Sequence, residues 1–566
     1  MHPLHPLFFP ASVAVIGASS DPERIGGRPL RFMVEAGFAG KLYPINASGA
    51  AEIQGLKAYR SILDVPGPVE QAIVAVPVAG LEAAVRECAT KGVKAVLVFT
   101  AGLAEANADG AALQRRLLDI CEGAGMRMLG PNTLGLLNPS NGYIATFSTA
   151  LNGLRPLQGA IGLATQSGAF GSCAYGMGTL RGFGFSRVIA TGNEADIDVA
   201  ECIEYLAGDA DTRVICAALE ACSDGARLRA ALLRAADAGK PVIVMKIGRT
   251  EIGAAAAATH TGSLAGNDAV YDTVFAECGA WRANSIEEML DVAHLCAVTG
   301  RLPANRQIGI VTGSGGIGIL MADDATELGL ALPPLSQAGA QELLEILPFA
   351  VPANPYDTTA QVTAVADGVT RVMDSMLSQS QAATVLAYTA HVGLSPERFA
   401  PMERALIALQ ARHADRGIVM VMLSEAGVTR RLEQAGIAVF ADPTRAVRAV
   451  AGASRIAVLR EQLHRVDAVP ARASRPLPQS VSESEAKAIL SAAGIPVLPE
   501  RVCTSAAEAV EAANGMGYPV VAKIASADIP HKTEIGGVIL HLQNADAVAQ
   551  AFETLLARAK SAAPEA

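Results

Sequence analysis

The sequence predicts a multidomain α/β protein in which helices cover both faces of parallel sheets. Its 566 residues exceed what one hydrophobic core can organise, and at about 100–200 residues per domain they predict roughly three to five domains. Hydrophobic residues make up 51% of the chain and glycines number 54, whereas aromatic residues reach only 4%. This usage is typical of domains with small aliphatic cores and many strand-to-helix turns.

One pattern occurs three times: a β-rich run enters a turn of small residues and then a helical stretch. The copies are VAVIGASS at 13–20, IGLATQSGAFG at 161–171 and IGIVTGSGGIG at 308–318. Where a parallel strand is followed by a helix, exposed N–H groups and the helix dipole favour a phosphate or a carboxylate. A single copy is weak evidence for an anion site, because glycines that serve only in packing give the same pattern. Three copies predict three doubly wound domains, each with an anion site at its strand ends.

Strand and helix signals divide the chain into four units and a linker. The second unit closes with a helix that begins at the capping box of Ser285 and Glu288 and ends at Gly300. Residues 464–482 are rich in Pro, Arg and Ser and lack periodicity, which predicts a linker. The predicted domains are 1–148, 149–303, 304–463 and 483–566. Predicted strands include 13–17, 72–77, 94–102, 214–220, 241–248, 383–389, 418–423 and 518–524, and helices are predicted around 443–463 and over 482–494.

Composition excludes several classes of protein. The net charge of −10 argues against general nucleic-acid binding, which needs a basic surface. Nine cysteines include no C-x-x-C pair, so they are expected to be small core residues in a reducing compartment. The N-terminus lacks the basic residues of a signal peptide, and no apolar run reaches the ~18 residues of a membrane span. We therefore expect a soluble, cytoplasmic protein with no nucleic-acid or membrane partner.

The segment ATHTGSLAG at 258–266 contains His260 among small and hydroxyl-bearing residues, after a run of five alanines. No charged side chain lies between Glu251 and Asp268. An imidazole nitrogen can act as a nucleophile, and small neighbours with free backbone N–H groups could cradle an anion attached to it. The alternative is a partly buried histidine with an ordinary structural role in a loop.

Other residues of the second unit are candidates for the same site. Gln166-Ser167-Gly168 follows one predicted strand and Gly192-Asn193-Glu194 follows another, and both turns could supply donors for an anion. Glu220 ends the predicted strand VICAALE, where α/β sheets display functional side chains. A carboxylate there could hold the imidazole of His260 and fix its tautomer. The alternative for Glu220 is a helix N-cap or a solvated acid at the rim.

The first unit carries a phosphate-binding turn that differs from the dinucleotide fingerprint. Gly17-Ala18-Ser19-Ser20 lacks the G-x-G-x-x-G spacing, and KLYPIN at 41–46 replaces the acidic residue expected about 20 residues later. An NAD-dependent oxidoreductase is therefore disfavoured. Coenzyme A, whose ribose carries a phosphate, suits a site with Arg24 and Lys41 better.

The fourth unit contains two further candidates. Lys523 lies in the otherwise apolar run PVVAKI and is costly to bury without an anionic partner, such as a nucleotide phosphate. The alternative is a lysine that reaches solvent from the strand end. His531 stands beside Lys532 and is followed by the glycine pair at 536–537.

Taken together, GPNTLG, TQSGAFG, ATHTGSLAG, TGSGGIG and PHKTEIGGV resemble the nucleoside-diphosphate-forming acyl-CoA synthetases of the ADP-forming acetate–CoA ligase type, relatives of succinyl-CoA synthetase. The resemblance covers essentially the whole chain. It implies a CoA-binding Rossmann-like domain, two flavodoxin-like succinyl-CoA-synthetase-type domains and the opening part of an ATP-grasp domain. It also implies the conversion of a carboxylate, CoA and ATP into acyl-CoA, ADP and phosphate, through an acyl phosphate and a phosphohistidine.

The same resemblance assigns roles to individual residues. His260 matches the phosphohistidine, Glu220 the acid that steadies it, His531 a second histidine that relays phosphate, and Lys523 a nucleotide-contacting lysine. The expected CoA contacts are Gly17, Ala18, Ser19, Ser20, Arg24, Lys41, Asn46, Val76, Pro77, Thr100, Ala101 and Asn132. The expected phosphate contacts are Gln166, Ser167, Gly168, Gly192, Asn193, Gly313, Ser314, Gly315 and Gly316.

An ATP-grasp domain is longer than residues 483–566. We therefore expect the Mg²⁺ ligands to lie outside this chain, which would be part of a longer polypeptide or be completed by another subunit. The expected partners are a small carboxylic acid, CoA, ATP or ADP, and a second copy of the chain in a homodimer. The alternative function is a catalytically silent, CoA-binding regulatory part of a protein acetyltransferase fusion.

Overall fold

The structure is a computed structural model that describes residues 2–255, 267–463, 483–526, 529 and 532–565. The chain forms two compact units, Met1–Asp467 and Ala468–Ala566. The first unit contains three sheets of parallel or mostly parallel strands, and the second contains a two-stranded sheet. This mixed α/β architecture confirms the predicted fold class. The predicted linker, 464–482, lies outside the described residues.

The first sheet has five parallel strands in the order β2-β1-β5-β6-β7. Strands β1, β5 and β6 are buried along their whole length, as expected where helices cover both faces of a sheet. The strands are β1 (Ser12–Ile16), β2 (Lys41–Ile45), β5 (Gln71–Val74), β6 (Ala95–Val98) and β7 (Arg127–Leu129), with a separate hairpin of β3 (Glu52–Ile53) and β4 (Leu56–Lys57); the helices are α1 (His5–Phe8), α2 (Arg28–Glu35), α3 (Val78–Lys91) and α4 (Ala108–Ala124).

The second sheet has seven strands in the order β14-β13-β12-β10-β11-β8-β9. Strands β8 and β9 form an antiparallel hairpin that pairs with β11, whereas the other strands run parallel. The hairpin lies within the predicted first domain, 1–148, yet it extends the sheet of the second domain. The strands are β8 (Gly135–Asn138), β9 (Tyr143–Thr146), β10 (Gln158–Thr165), β11 (Phe185–Ala190), β12 (Val214–Leu219), β13 (Val242–Lys246) and β14 (Trp281–Arg282); the helices are α5 (Gly168–Leu180), α6 (Val199–Gly208), α7 (Gly225–Asp237), α8 (Asp268–Glu277) and α9 (Ile286–Thr299).

The third sheet has five parallel strands in the order β16-β15-β17-β18-β19. Its core is a cluster of Met, Leu, Ile and Val side chains. The strands are β15 (Ile308–Thr312), β16 (Tyr356–Asp357), β17 (Thr384–Gly393), β18 (Gly417–Ser424) and β19 (Ala438–Phe440); the helices are α10 (Gly315–Glu327), α11 (Gln337–Ile346), α12 (Gly368–Gln379), α13 (Pro396–Arg412), α14 (Ala426–Gln434) and α15 (Pro443–Leu463).

The second unit has a small core. Its antiparallel strands β20 (Val520–Lys523) and β21 (Val538–Leu542) accompany helices α16 (Glu483–Ala492), α17 (Ala506–Met516) and α18 (Ala545–Ala562). The predicted helix at 482–494 and the predicted strand at 518–524 are confirmed. Apolar residues of α17, α18 and the two strands form the core.

Helix α9 begins and ends where the sequence predicts, but the capping box is incomplete, because the Glu288 carboxylate accepts from the Asn284 N–H at 2.7 Å and not from that of Ser285. The Ser285 hydroxyl accepts a hydrogen bond from the Glu288 N–H at 3.1 Å, and Gly300 ends the helix at φ 68°. Residues 289–297 of this helix are all buried, because α9 packs against β12 and β13 of its own sheet and against α15 of the third domain. The helix therefore joins the second and third domains.

Buried ion pairs reinforce both domain junctions of the first unit. Arg127, in the last strand of the first sheet, binds Asp196 at 2.8 Å and Glu201 at 2.7 Å, both in the second domain. At the other junction, the Asp291 carboxylate of α9 is 4% exposed and accepts two 2.8 Å hydrogen bonds from Arg445 of α15, and it also pairs with Arg181 at the end of α5.

Replacing Asp291 with Asn should destabilise the junction of the second and third domains. The change leaves two guanidinium groups without their shared anion, and breaking a buried pair costs ~3–5 kcal/mol. We expect a somewhat smaller loss of stability, because Arg181 and Arg445 are 24% and 32% exposed and water can solvate them in part. Glu287→Gln is the matched control, because Glu287 also pairs with Arg445 but is 55% exposed, which predicts a loss of less than about 1 kcal/mol. Urea unfolding midpoints measure both effects, and equal midpoints for the two variants would contradict the prediction.

Candidate functional site

The turn after β1 is built by close backbone approaches. Gly17 has φ 87°, and a side chain there would place Cβ 2.3 Å from the Ala75 carbonyl oxygen. A Cβ on Gly26 would lie 2.0 Å from the Gly17 carbonyl oxygen. The Asn46 side chain donates to the Ala18 carbonyl at 2.6 Å and so ties the end of β2 to this turn. The glycine turn that the sequence indicates is thus required by packing, and it faces the carboxyl edge of the sheet.

Other residues of the predicted CoA set lie at the same edge. Val76 and Pro77 follow β5, Thr100 and Ala101 follow β6, and Asn132 follows β7. The Thr100 hydroxyl donates to the Val76 carbonyl at 2.7 Å, and the Asn132 N–H donates to the Thr100 carbonyl at 3.0 Å. Successive strand ends are therefore linked into one continuous rim.

Ser20 and Arg24 lie at the exposed side of this rim, and Arg24 forms a 3.6 Å ion pair with Asp21. Lys41, in contrast to the expectation, does not lie at this rim. Strand register places it opposite Ser12, at the start of β2 and thus at the amino edge of the parallel sheet. The whole length of β2 separates Lys41 from Asn46, so the structure does not bring it to the turn at Gly17.

In the second domain, the side chain of Gln166 joins three strand ends. It follows β10, and its oxygen accepts hydrogen bonds from the N–H groups of Glu220 at 2.5 Å and Ala221 at 3.0 Å, just beyond β12. Its nitrogen donates to the Ala221 carbonyl at 2.8 Å and to the Glu194 carboxylate, beyond β11, at 2.5 Å. The amide that the sequence suggested as an anion donor is therefore engaged in holding the edge of the sheet together.

Glu194 is a carboxylate held at the same edge in a strained backbone conformation. Its φ is 55°, and its second oxygen accepts from the Thr191 hydroxyl at 2.9 Å and the Val199 N–H at 2.8 Å. Burial raises the pKa of Glu194 to about 7, although three hydrogen bonds act in the opposite direction. Preceding it, Gly192 and Asn193 pack on the 130–132 turn, where the Asn193 N–H donates to the Pro131 carbonyl at 2.9 Å.

Glu220 lies one residue beyond β12 and is only 6% exposed. Its backbone is fixed on both sides, since its N–H donates to Gln166 and its carbonyl accepts a 2.7 Å hydrogen bond from the Lys246 ammonium. Lys246 is 4% exposed, its ammonium lies 4.8 Å from the centre of the Tyr271 ring, and burial lowers its pKa. A buried acid and a buried cation thus lie together at the carboxyl edge.

Helix α5 starts at this edge. Ser167 is its N-cap and accepts from the Phe170 N–H at 3.3 Å, and a Cβ on Gly168 would lie 2.6 Å from the Leu134 side chain. The first N–H groups of a helix have no partner within it, so this end favours an anion.

The third domain repeats this arrangement at α10. Ser314 precedes the helix, and the Thr312 hydroxyl accepts from the Ser314 N–H at 3.0 Å. Gly313, Gly315 and Gly316 are exposed, and a Cβ on Gly316 would meet no atom within 4 Å among the described residues. Unlike Gly168, Gly316 leaves open space at its helix end.

In the second unit, Lys523 has carboxylate partners. It pairs with Glu483 and lies 3.7 Å from Glu500, while Lys532 binds the other Glu483 oxygen at 3.1 Å. Hydrogen bonds from the two lysines lower the pKa of Glu483 to about 2. The anionic partner expected for Lys523 is thus present, as the Glu483 carboxylate of the same unit.

The two predicted catalytic histidines, His260 and His531, lie outside the described residues. Across the parts of the chain that the structure describes, no group of three or more His, Cys, Asp and Glu side chains is arranged to hold a metal ion. In these parts of the chain, protein side chains alone do not form a Mg²⁺ site. None of the helices in those parts is long and apolar enough to cross a membrane.

Sequence reasoning missed Lys246 and the role of Gln166. A lysine at the end of the apolar run VIVMK was a visible signal for a buried cation. The partners of Gln166, 28 and 54–55 residues away, left no local signal.

Comparison with known domains agrees with this geometry. Residues 11–139 match a CoA binding domain, residues 158–296 a succinyl-CoA ligase like flavodoxin domain, and residues 472–566 an ATP-grasp domain. This order of domains defines an acid–CoA ligase of the succinyl-CoA ligase type.

Individual relatives narrow the class. The chain is 33% identical to acetate–CoA ligase (ADP-forming) I of Archaeoglobus fulgidus over 99% of this chain and 81% of the relative. The alpha subunit of the Pyrococcus furiosus enzyme I is 33% identical and covers 79% of this chain and 96% of its own length, while the beta subunit is 38% identical over 20% of this chain and 45% of its own length. A solved structure, the dinucleotide forming acetyl-coenzyme A synthetase 1 of Candidatus Korarchaeum cryptofilum in complex with phosphate and ADP, matches with 30% identity and a TM-score of 0.73 over 83% of this chain and 99% of that one.

The chain belongs to the family of ADP-forming acetate–CoA ligases, the nucleoside-diphosphate-forming acyl-CoA synthetases. The resemblance drawn from its motifs is thus confirmed, and so is its assignment as an enzyme of the acid–CoA ligase class that uses CoA and ATP as substrates. These matches give no support to a silent regulatory protein.

Glu194 predicts a pH-dependent difference in stability. Its pKa in the folded protein, about 7, exceeds the ordinary 4.5, so between these values the folded chain holds a proton that the unfolded chain has released. The contribution of Glu194 to the free energy of unfolding is therefore greatest below pH 4.5 and falls as the pH rises to 7. Glu194→Gln stays neutral, so its stability relative to wild type should increase from pH 5 to pH 8.

Urea midpoints at pH 5, 6, 7 and 8 test this expectation. Glu204→Gln, which removes a 37% exposed acid on neighbouring α6, is the control for the loss of one carboxylate. A difference between Glu194→Gln and wild type that stays the same from pH 5 to pH 8 would contradict the prediction.

Proposed function

We propose that this enzyme forms acyl-CoA through a phosphohistidine on His260. A carboxylate takes a phosphoryl group from phospho-His260, or directly from ATP, to give an acyl phosphate. The CoA thiol then attacks the acyl carbon, the bond to the phosphate oxygen breaks, and acyl-CoA and phosphate leave. When the phosphoryl group comes from phospho-His260, ATP then phosphorylates His260 again and ADP is released.

One observation carries the proposal: the buried Glu220 and the start of α5 lie together at the carboxyl edge of the second sheet. The Gln166 amide holds Glu220 by its backbone at 2.5 Å, and α5 begins two residues after Gln166. An acid that is fixed in position can orient an imidazole, and a helix N-terminus can neutralise a phosphoryl group. Electrostatic groups that are positioned in advance avoid reorganisation during the reaction.

The rim of the first sheet is the proposed CoA site. The Gly17 turn admits a pyrophosphate to the backbone, and the ends of β5, β6 and β7 continue the surface as far as Asn132. The Asn132 side chain donates to Asn193 of the second domain at 3.2 Å. The CoA rim thus reaches the turn that also carries Glu194, so a thiol can be delivered beside α5.

The proposal also assigns roles to residues of the third domain and of the second unit. We propose that Gly313–Gly316 bind phosphate at the open start of α10, that His531 relays phosphate, and that Lys523 contacts the nucleotide in place of Glu483. The proposed setting is the cytoplasm, with a homodimer as the working form. All nine cysteines are free, as expected in a reducing compartment.

His260 should become phosphorylated when the enzyme runs in reverse. Incubation with acyl-CoA and ³²P-phosphate should label the wild-type chain at His260 without nucleotide, because acyl phosphate formed in reverse donates its phosphoryl group. The label should be labile to acid, as a phosphoramidate is. His260→Asn should lose the label, whereas His541→Asn, which changes an exposed histidine of β21, should retain it. Labelling of His260→Asn within about tenfold of wild type would remove His260 from the phosphoryl path.

Glu220→Gln should slow the labelling of His260 by roughly 10²–10⁴-fold, the usual effect of losing a positioned acid–base or orienting group. CoA affinity should stay unchanged, because the CoA rim lies on the first sheet. Glu277→Gln, an exposed acid at the end of α8, is the control. A normal rate of labelling in Glu220→Gln would limit Glu220 to a structural role.

A further inference from the structure

Lys246 is a buried cation at the carboxyl edge of the second sheet. It is the last residue of β13, and the strand register pairs it with Leu219 at the end of β12. The residue is only 4% exposed, so its ammonium group has lost nearly all of its hydration. A lysine is almost never buried to this extent unless its charge has partners, so the contacts of the ammonium group indicate what it does.

The ammonium group contacts three separate parts of the second domain. It donates to the carbonyl of Glu220, just beyond β12, at 2.7 Å, and it also donates to the carbonyl of Ile247, which follows β13. Its third contact is the ring of Tyr271 on α8, whose centre lies 4.8 Å away. One cation therefore joins two strand ends and a helix.

Helix α8 is itself fixed to the sheet. Arg282 of β14, the strand next to β13, pairs with Asp268 at 2.7 Å and with Asp272 at 2.5 Å. The Arg282 side chain is mostly buried, and Tyr271 lies between the two aspartates in the sequence. The ring that Lys246 contacts thus belongs to a helix turn that is held in place independently.

The segment of chain that contains His260 connects these same elements, since residues 247–267 run from β13 to α8. Lys246 therefore links the elements at both ends of that segment to the backbone of Glu220. Its charge also acts on the acid. Burial lowers the pKa of Lys246, whereas the negative charges of Asp268 and Glu220 act in the opposite direction, as expected for opposite charges at a buried edge.

We propose that Lys246 is a positioning residue for the phosphorylation of His260, and that it acts through Glu220. The inference rests on the proposed function and adds a residue to it. The hydrogen bond to the Glu220 carbonyl fixes the main chain from which the acid projects. The contacts with Ile247 and Tyr271 fix that main chain relative to the elements on either side of His260. Losing a group that orients an active-site side chain typically costs about 10–100-fold in activity.

Lys246→Met tests the role of the cation, because it removes the charge and both hydrogen bonds but keeps a side chain of similar length. Labelling at His260 by ³²P-phosphate and acyl-CoA should be about 10–100-fold slower than in wild type. The thermal midpoint should also fall, because two carbonyl groups lose their donor.

Lys240→Met is the matched control. The Lys240 ammonium also donates to two backbone carbonyls, those of Leu206 at 2.9 Å and Asp209 at 2.6 Å, but it lies at the amino edge of the same sheet. This variant should also lose thermal stability, whereas its labelling rate should stay within about threefold of wild type, because distant sites act independently. The comparison separates the loss of a structural lysine from the loss of a positioning one.

A double-variant cycle tests whether Lys246 acts through Glu220. Glu220→Gln removes the carboxylate that Lys246 positions, so adding Lys246→Met to it should slow labelling by less than about threefold further. Two independent contributions would instead multiply. CoA affinity should be the same in all of these variants, because the CoA rim lies on the first sheet.

The assay uses the full chain below the lowest thermal midpoint, with acetyl-, butanoyl- or benzoyl-CoA, whichever labels the wild type fastest. If none of them labels the wild type, the proposed function fails and the role of Lys246 fails with it. If the wild type is labelled but Lys246→Met is no slower than Lys240→Met, Lys246 has only a structural role. Effects that multiply in the cycle would show that Lys246 acts apart from Glu220 and would overturn the inference.

Discussion

The amide of Gln166 is the interaction on which the geometry of the second domain depends. Each strand end at the carboxyl edge of a sheet enters a loop, and such loops vary unless something fixes them. Here one planar group accepts from the backbone after β12 and donates to a carboxylate after β11. Buried networks of this kind are strong when every member is satisfied, because the local dielectric is low. The backbone at Glu220 and the carboxylate of Glu194 are both held by this one side chain.

The sequence predicted much of this framework, because its signals are local. Apolar runs followed by small-residue turns identified β1, β10 and β15 and the helices after them, and Ser285, Glu288 and Gly300 marked the limits of α9. The functional resemblance depended on short motifs, and relatives across nearly the whole chain confirm it.

What the sequence could not predict depends on contacts between distant residues. Lys41 is a plausible phosphate ligand by its charge, but strand register places it at the amino edge. Nothing in the sequence around Asp291 distinguishes it from other acidic residues, because its partners Arg181 and Arg445 come near it only in the folded chain. A Cβ on Gly171 would lie 2.7 Å from the Thr165 side chain, so α5 packs close to β10, a contact that neither residue signals by itself.

The hairpin of β8 and β9 has a consequence for how this polypeptide can be divided. The chain leaves the first sheet at Leu129 and continues directly into strands of the second, and Arg127 of β7 already binds acids beyond the hairpin. A break after residue 148 would separate two strands from the sheet they complete, and would leave an unpaired edge on β11. A cut at the joint between the CoA domain and its neighbour would therefore expose a sheet edge prone to aggregation.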